Sequence, residues 1–175
     1  EQGSANYNVP ARYQFDGELD IAALEQALQL LVARHHTLRT VFRDDGDGPY
    51  QQVLSDAEFS LSQLDLSALT EAEQQSALEQ WLARDTATPF ALSSALMLRG
   101  CVIRLAPRRH ILSLCLHHIA CDGWSFGILE RELAQSYNAL SCGGAVQLSA
   151  LPVQYADFAR WQSEQLQGDA FTRLT

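Results

Sequence analysis

The sequence predicts an α/β fold of the α+β sandwich kind, a mixed sheet with hairpins flanked by helices. Three observations predict it. Strand-like and helix-like stretches alternate along 175 residues, which in a chain of this size means helices layered on a sheet. Two turn signals, DDGDGP at 44–49 and APRR at 106–109, lie between β-rich runs and demand antiparallel hairpins, so the sheet is not purely parallel. The runs 95–105 and 110–117 read as apolar on both sides, like interior strands covered on two faces.

Each element has its own signal. Residues 1–10 are polar and aperiodic with a Pro, and read as an entering segment; 11–17 alternate and end in Gly, as a strand would. Asp20 offers an N-cap, behind which Ile21, Leu24, Leu28, Leu31, Val32 and His35 follow helical spacing to about His36. Residues 38–43 and 50–54 flank the first turn signal as a hairpin, and 58–64 offer a further strand. Thr70 with Glu73 matches a capping box, and Leu78, Trp81 and Leu82 mark the apolar face of the helix behind it. A break follows at 86–94, before the two apolar strands. The HIACDG stretch reads as a loop, 124–140 as a helix, 141–152 as a loop and 153–166 as the last helix. Aromatic residues at near-helical spacing in that last helix read as core.

Composition excludes several classes. No apolar run reaches the ~18 residues of a membrane-spanning helix. The net charge is −9 and the basic residues number 12; every one is an arginine. No basic cluster exceeds Arg108 and Arg109, so nucleic acid and anionic membrane are unsuitable partners. Without lysine there is no Schiff base and no Walker A lysine. Of Cys101, Cys115, Cys121 and Cys142, three fall in or beside apolar stretches and read as reduced, buried hydrophobes; the expected compartment is the cytoplasm.

The chemistry concentrates in His117-His118-Ile119-Ala120-Cys121-Asp122-Gly123, where a buried strand runs out before a helix. Alternation puts Ser113, Cys115 and His117 on one face and Leu112, Leu114, Leu116 and His118 on the other. One imidazole can therefore enter a given cavity, handling protons near neutral pH, while the other is held structurally. Asp122 can hydrogen-bond an imidazole or pair with an arginine. Gly123 suits a backbone turn that a side chain would oppose. A zinc set of Cys115, His117, His118 and Cys121 is awkward across alternating faces. No GxSxG elbow supports a serine hydrolase; Ser125 reads as an aid to the start of the helix.

Four stretches carry a family resemblance. HHIACDG at 117–123 matches an HHxxxDG motif, Arg34 to Phe42 an RHxxLRTxF block, Tyr155 to Gln162 a YxDFAxWQ block, and Pro89 to Leu92 a PFxL segment. In these the chain resembles the condensation domains of nonribosomal peptide synthetases, of the chloramphenicol acetyltransferase-like superfamily. The resemblance implies an acyltransferase that forms an amide bond between a donor peptidyl or aminoacyl thioester and an acceptor aminoacyl thioester. Both ride on phosphopantetheine arms of carrier proteins, and the domain itself binds no cofactor or metal. His118 corresponds to the second motif histidine, beside the reacting amine, with His117 in support. Asp122 corresponds to the motif aspartate, buried and paired with an arginine of the RHxxLR block: Arg39 first, Arg34 second. Gly123 corresponds to the motif glycine near the incoming thioester. The Tyr155 block is read as the helix closing the lobe.

The resemblance further implies that residues 1–175 are an N-terminal lobe. The family's opening SxAQxRxW motif is not found, and the C-terminal lobe is missing, so the lobe alone is expected to be inactive. The implied partners are donor and acceptor carrier proteins, that second lobe and an adjacent adenylation domain. Gly123-Trp124-Ser125 resembles domains accepting L-configured substrates. The competing readings are a coenzyme A-dependent acyltransferase of the same superfamily and a non-catalytic carrier-docking module.

Overall fold

The computed structural model describes residues 4–166; residues 1–3 of the expected entering segment lie outside the described residues. Strand β1 spans Asn8–Asp16, helix α1 Ile21–Arg34, strands β2 Thr40–Asp44, β3 Pro49–Val53 and β4 Leu61–Asp65, helix α2 Glu71–Ala87, strands β5 Leu98–Ala106 and β6 Arg109–His117, and helices α3 Gly123–Ser141 and α4 Tyr155–Leu166. Four strands form one mixed sheet in the order β1-β6-β5-β4, antiparallel except for the parallel pair β4–β5. Helix α2 makes the crossover between those parallel strands, as a parallel pair requires. Strands β2 and β3 pair separately as a hairpin. Its turn is closed by Gly46 and Gly48 at φ 101° and 120°, where L side chains would be strained.

The sheet is covered on both faces, as the double-faced hydrophobicity of β5 and β6 requires. On one face Leu98, Val102, Leu112, Leu114 and Leu116 pack with Leu24, Leu28, Leu31 and Val32 of α1 and with Phe126, Leu129 and Leu133 of α3. On the other, Cys101, Ile103 and Ile111 meet Leu78, Trp81 and Leu82 of α2. Both predicted caps form. Ala23 donates its N–H to Asp20 Oδ1 at 2.9 Å, and Thr70 donates its N–H to Glu73 Oε2 at 2.9 Å. Among the described residues no helix is long and apolar enough to cross a membrane.

Several boundaries differ from expectation, among them the starts of β5 at Leu98 rather than residue 95 and of α4 at Tyr155 rather than residue 153. Strand β1 begins at Asn8 and runs through Pro10, because β1 is the sheet edge, where a missing N–H breaks no ladder. Helix α1 ends at Arg34, since His35 turns to φ −98°, ψ 104°. The chain then tightens into a 3-10 turn at His36–Arg39 that buries Leu38, so β2 starts only at Thr40. Strand β4 starts at Leu61 rather than in the 58–60 stretch, where Phe59 donates its N–H to Gln29 Oε1 of α1 instead of a ladder. Helix α4 is the larger departure. Its Tyr155, Phe158 and Trp161 are exposed and stack on one another, with ring centroids 6.1 and 5.8 Å apart, so the block expected as core has nothing packed over it among the described residues.

Candidate active site

The HHIACDG stretch lies where β6 ends and α3 begins. The last strand residue, His117, points to the α2 side. It is 5% exposed and its ring lies between Tyr7 and the edge-on ring of Phe90, 6.0 and 5.8 Å away. Arg99 lies over the other side of that arrangement, 4.3 Å from the Phe90 centroid, and is held by Asp85 at 2.8 Å. Burial, and after it the charge of His118, pushes the His117 imidazole below its ordinary value. His117 is thus neutral, and its Nδ1 accepts the N–H of Ile119 at 3.1 Å, which leaves the proton on Nε2. This bond shapes the turn that carries His118.

His118 is exposed. Its backbone is fixed by donation of its N–H to Tyr7 O at 2.8 Å, and among the described residues no group hydrogen-bonds its ring. The two histidines therefore divide as alternation predicts: one packed and neutral, one exposed. Cys121 is buried behind them with Sγ 3.6 Å from His117 O; burial raises its thiol to about 11, so it is no thiolate nucleophile at neutral pH. All four cysteines are free. Among the described residues no three His, Cys, Asp or Glu gather as a metal set.

Asp122 differs from expectation. It is exposed and caps α3, accepting the Ser125 N–H at 2.9 Å and the Ser125 hydroxyl at 2.7 Å. Those bonds hold its carboxyl below the ordinary carboxylate range. Neither arginine pairs with it. Arg39 donates to the carbonyls of Leu54 and Ala33, and Arg34 belongs to Glu132 of α3. The expected buried aspartate–arginine pair is replaced by a helix cap because the nearest competing donors, at the start of α3, are local. Ser125 is the cap's partner, as the sequence suggested. Gly123 is the first residue of α3 and has no positive φ; a Cβ added there meets nothing within 4 Å. The fold of this chain therefore places no backbone demand on that glycine.

The RHH block finds its partner elsewhere. Glu132 is 7% exposed and its Oε2 lies 3.1 Å from Arg34 Nε and 2.7 Å from His35 Nε2. His35 is thus paired as well as placed at the end of α1, and His36 is half-buried; burial first, and then Arg39, depress its imidazole. Sequence reasoning missed Glu132. The available signal was its position three residues after Leu129 and six after Phe126, on the apolar face of α3, where a carboxylate needs a buried partner. Within and just after the HHIACDG stretch, Ile119, Trp124 and Ile128 are exposed, Trp124 to 87%.

Comparison with known proteins identifies the family. The family model described as Condensation domain matches residues 1–174. The chain is 43% identical over 164 residues to a linear gramicidin synthase of Brevibacillus parabrevis, covering 93% of this chain and 2% of that protein. It is 42% identical over 168 residues to the phosphinothricin tripeptide synthetase PhsB of Streptomyces viridochromogenes, covering 96% of this chain and 14% of that protein. Among solved structures, the first condensation domain of the calcium-dependent antibiotic synthetase, in complex with a substrate analogue, superposes with TM-score 0.79 at 30% identity, over 94% of this chain and 40% of that one. The X-domain from teicoplanin biosynthesis superposes with TM-score 0.83 at 32% identity, over 96% of this chain and 35% of that one. The chain thus spans well under half the length of the relatives and structures it matches.

Proposed function

Since the chain belongs to the condensation-domain family, we propose that residues 1–175 are the N-terminal lobe of a domain forming an amide between two carrier-bound thioesters. The observation that supports this best is the division of labour in the HHxxxDG stretch: His117 neutral and packed, His118 presented on a fixed backbone at the open end of the sheet. The acyl group of a thioester is already activated, so no enzyme nucleophile is required. The site must align the acceptor amine and the donor carbonyl, which can supply up to roughly 7–11 kcal/mol. The His118 imidazole lies beside the amine and helps it lose its proton as the carbon–nitrogen bond forms and the thiolate of the donor arm departs, a step worth typically ~10²–10⁴-fold.

In this reading a second lobe covers Trp124 and completes a tunnel into which two phosphopantetheine arms enter from opposite sides. Gly123, with open space about its Cα, leaves room for an arm. The partners are the donor and acceptor carrier proteins and an adjacent adenylation domain. No cofactor is bound by the lobe itself, and the cytoplasm is its compartment, where free thiols such as those here persist.

The test is single-turnover condensation between two loaded carrier proteins, catalysed by the full-length protein. His118→Ala abolishes turnover and leaves the melting temperature unchanged, because that side chain is exposed. Full activity in a folded variant would reject the assignment. A docking module is the alternative: the teicoplanin X-domain, 32% identical here, was solved in complex with OxyB. Carrier binding without any turnover by the wild type favours that reading.

A further inference from the structure

Resting on that reading, we propose that Glu132 is the positioning residue of the site: it clamps α3 to the end of α1 and so sets where the His118 loop stands. Four segments are tied together around its carboxylate. Arg34 Nε and Nη2 lie 3.1 and 3.3 Å from its two oxygens in a forked pair, and His35 Nε2 lies 2.7 Å away. Arg34 Nη2 also donates to Ser149 O in the segment after α3. Arg34 O accepts from Gln154 Nε2 at 3.0 Å, while His36 N–H donates to Gln154 Oε1 at 3.2 Å, which ties the entry to α4 to the same point.

Apart from the Asp20 N–H at the α1 N-cap, which donates to Tyr137 Oη at 3.2 Å near the far end of α3, the rest of the α1–α3 contact is apolar. Leu28 and Leu31 face Phe126, Leu129 and Leu133, and such contacts are non-directional. A forked arginine–carboxylate pair is directional, and of the two directional ties Glu132 is the one nearer the histidine loop, so it sets the register of α3 along α1 at that end. The residue lies nine positions into α3, about 13 Å from its start at ~1.5 Å per residue. A displacement there travels along a stiff helix to Asp122 and the loop. At that end a narrow cleft of about 80 Å³ separates His35 and Thr37 from Ala120, Ser125 and Ile128. The RHH turn and the histidine loop thus face each other across little space. Burying this carboxylate is costly unless it is paired, and apolar packing would fill the site as well; what the ion pair adds is a fixed register.

The test uses Glu132→Gln and Glu132→Asp in the full-length protein, with backbone hydrogen exchange as the first readout and single-turnover condensation as the second. Gln keeps the shape and one acceptor but loses the charge. The expected result is faster exchange at residues 119–125 with α2 unchanged, and a turnover rate lower by about 10- to 100-fold in fully folded protein with carrier affinity retained. Should Glu132→Gln fail to fold, Glu132→Asp, which keeps the charge but draws it back by one methylene, is read in the same way. Unchanged exchange at 119–125 in a folded variant overturns the proposal, as does a wild-type rate where exchange has risen. If the wild type itself makes no amide, the functional reading fails, and the exchange measurement still decides the role of Glu132.

Discussion

At the scale of single residues, the two adjacent histidines are separated by one peptide unit and by almost everything else. His117 accepts the Ile119 N–H through Nδ1, and this is possible only while the ring is neutral. Its folded-state affinity for protons lies below the ordinary 6.5 because burial penalises the charged form. The unfolded chain therefore binds more protons than the folded one near pH 6, and stability rises with pH there. The contribution of His117 is fully present above about pH 6.5 and is lost as the pH falls. His36 is shifted in the same direction by burial and by Arg39, against a smaller opposing effect of Asp157. Melting followed from pH 7 to pH 5 should show a smaller drop for His117→Gln, which keeps an acceptor for Ile119 but does not titrate. With His36→Gln as the background in both proteins, superimposable pH profiles would exclude His117 as a source of the acid sensitivity.

At the scale of elements, the sandwich depends on how closely its strands and their coverings approach. Strand β5 carries Gly100 at the point where it faces β6 and β4. A Cβ there would lie 2.9 Å from Leu114 Cδ2 and 3.0 Å from Leu61 Cδ1, both buried leucines. Gly100→Val is expected to destabilise the fold by about 1–3 kcal/mol through overpacking. Urea denaturation measures this, and a midpoint within error of the wild type would show that the α1 face of the sheet has slack. Elements also account for the boundaries that differ from their sequence signals. The early end of α1 places His35 beside Glu132, a gain visible only once α3 lies alongside. The entry of β1 through Pro10 follows from its edge position, which depends on the strand order of the whole sheet.

At the scale of the whole molecule, the described residues leave one amphipathic helix with an uncovered aromatic face. Tyr155, Phe158 and Trp161 stack in sequence along α4 while their outer surfaces meet solvent. The chain spans 35% of the teicoplanin X-domain structure and 40% of the calcium-dependent antibiotic condensation domain. If the two-lobe reading proposed above extends to this face, polypeptide beyond the described residues covers α4. In the full-length protein Phe158→Ser should then lower the melting temperature of this domain, since a covered Phe leaves a cavity. An unchanged melting temperature would show that the face stays in water and that the second lobe lies elsewhere.

The sequence by itself determined the fold class, the order and nature of the elements, both predicted helix caps and the family. These follow from local periodicity, from turn chemistry and from residues contiguous along the chain, such as His117 to Gly123. It also separated the two histidines, because strand alternation is a local rule. Only the tertiary structure decided what each charged side chain meets. Arg34 and His35 find Glu132 across 97 or more residues of chain, Arg39 turns to Leu54 and Ala33, and Asp122 remains at home as a cap. The physical reason is that an ion pair needs two groups within hydrogen-bond reach, a distance set by the packing of α1 on α3, whereas a cap or a turn needs only neighbours within a few residues.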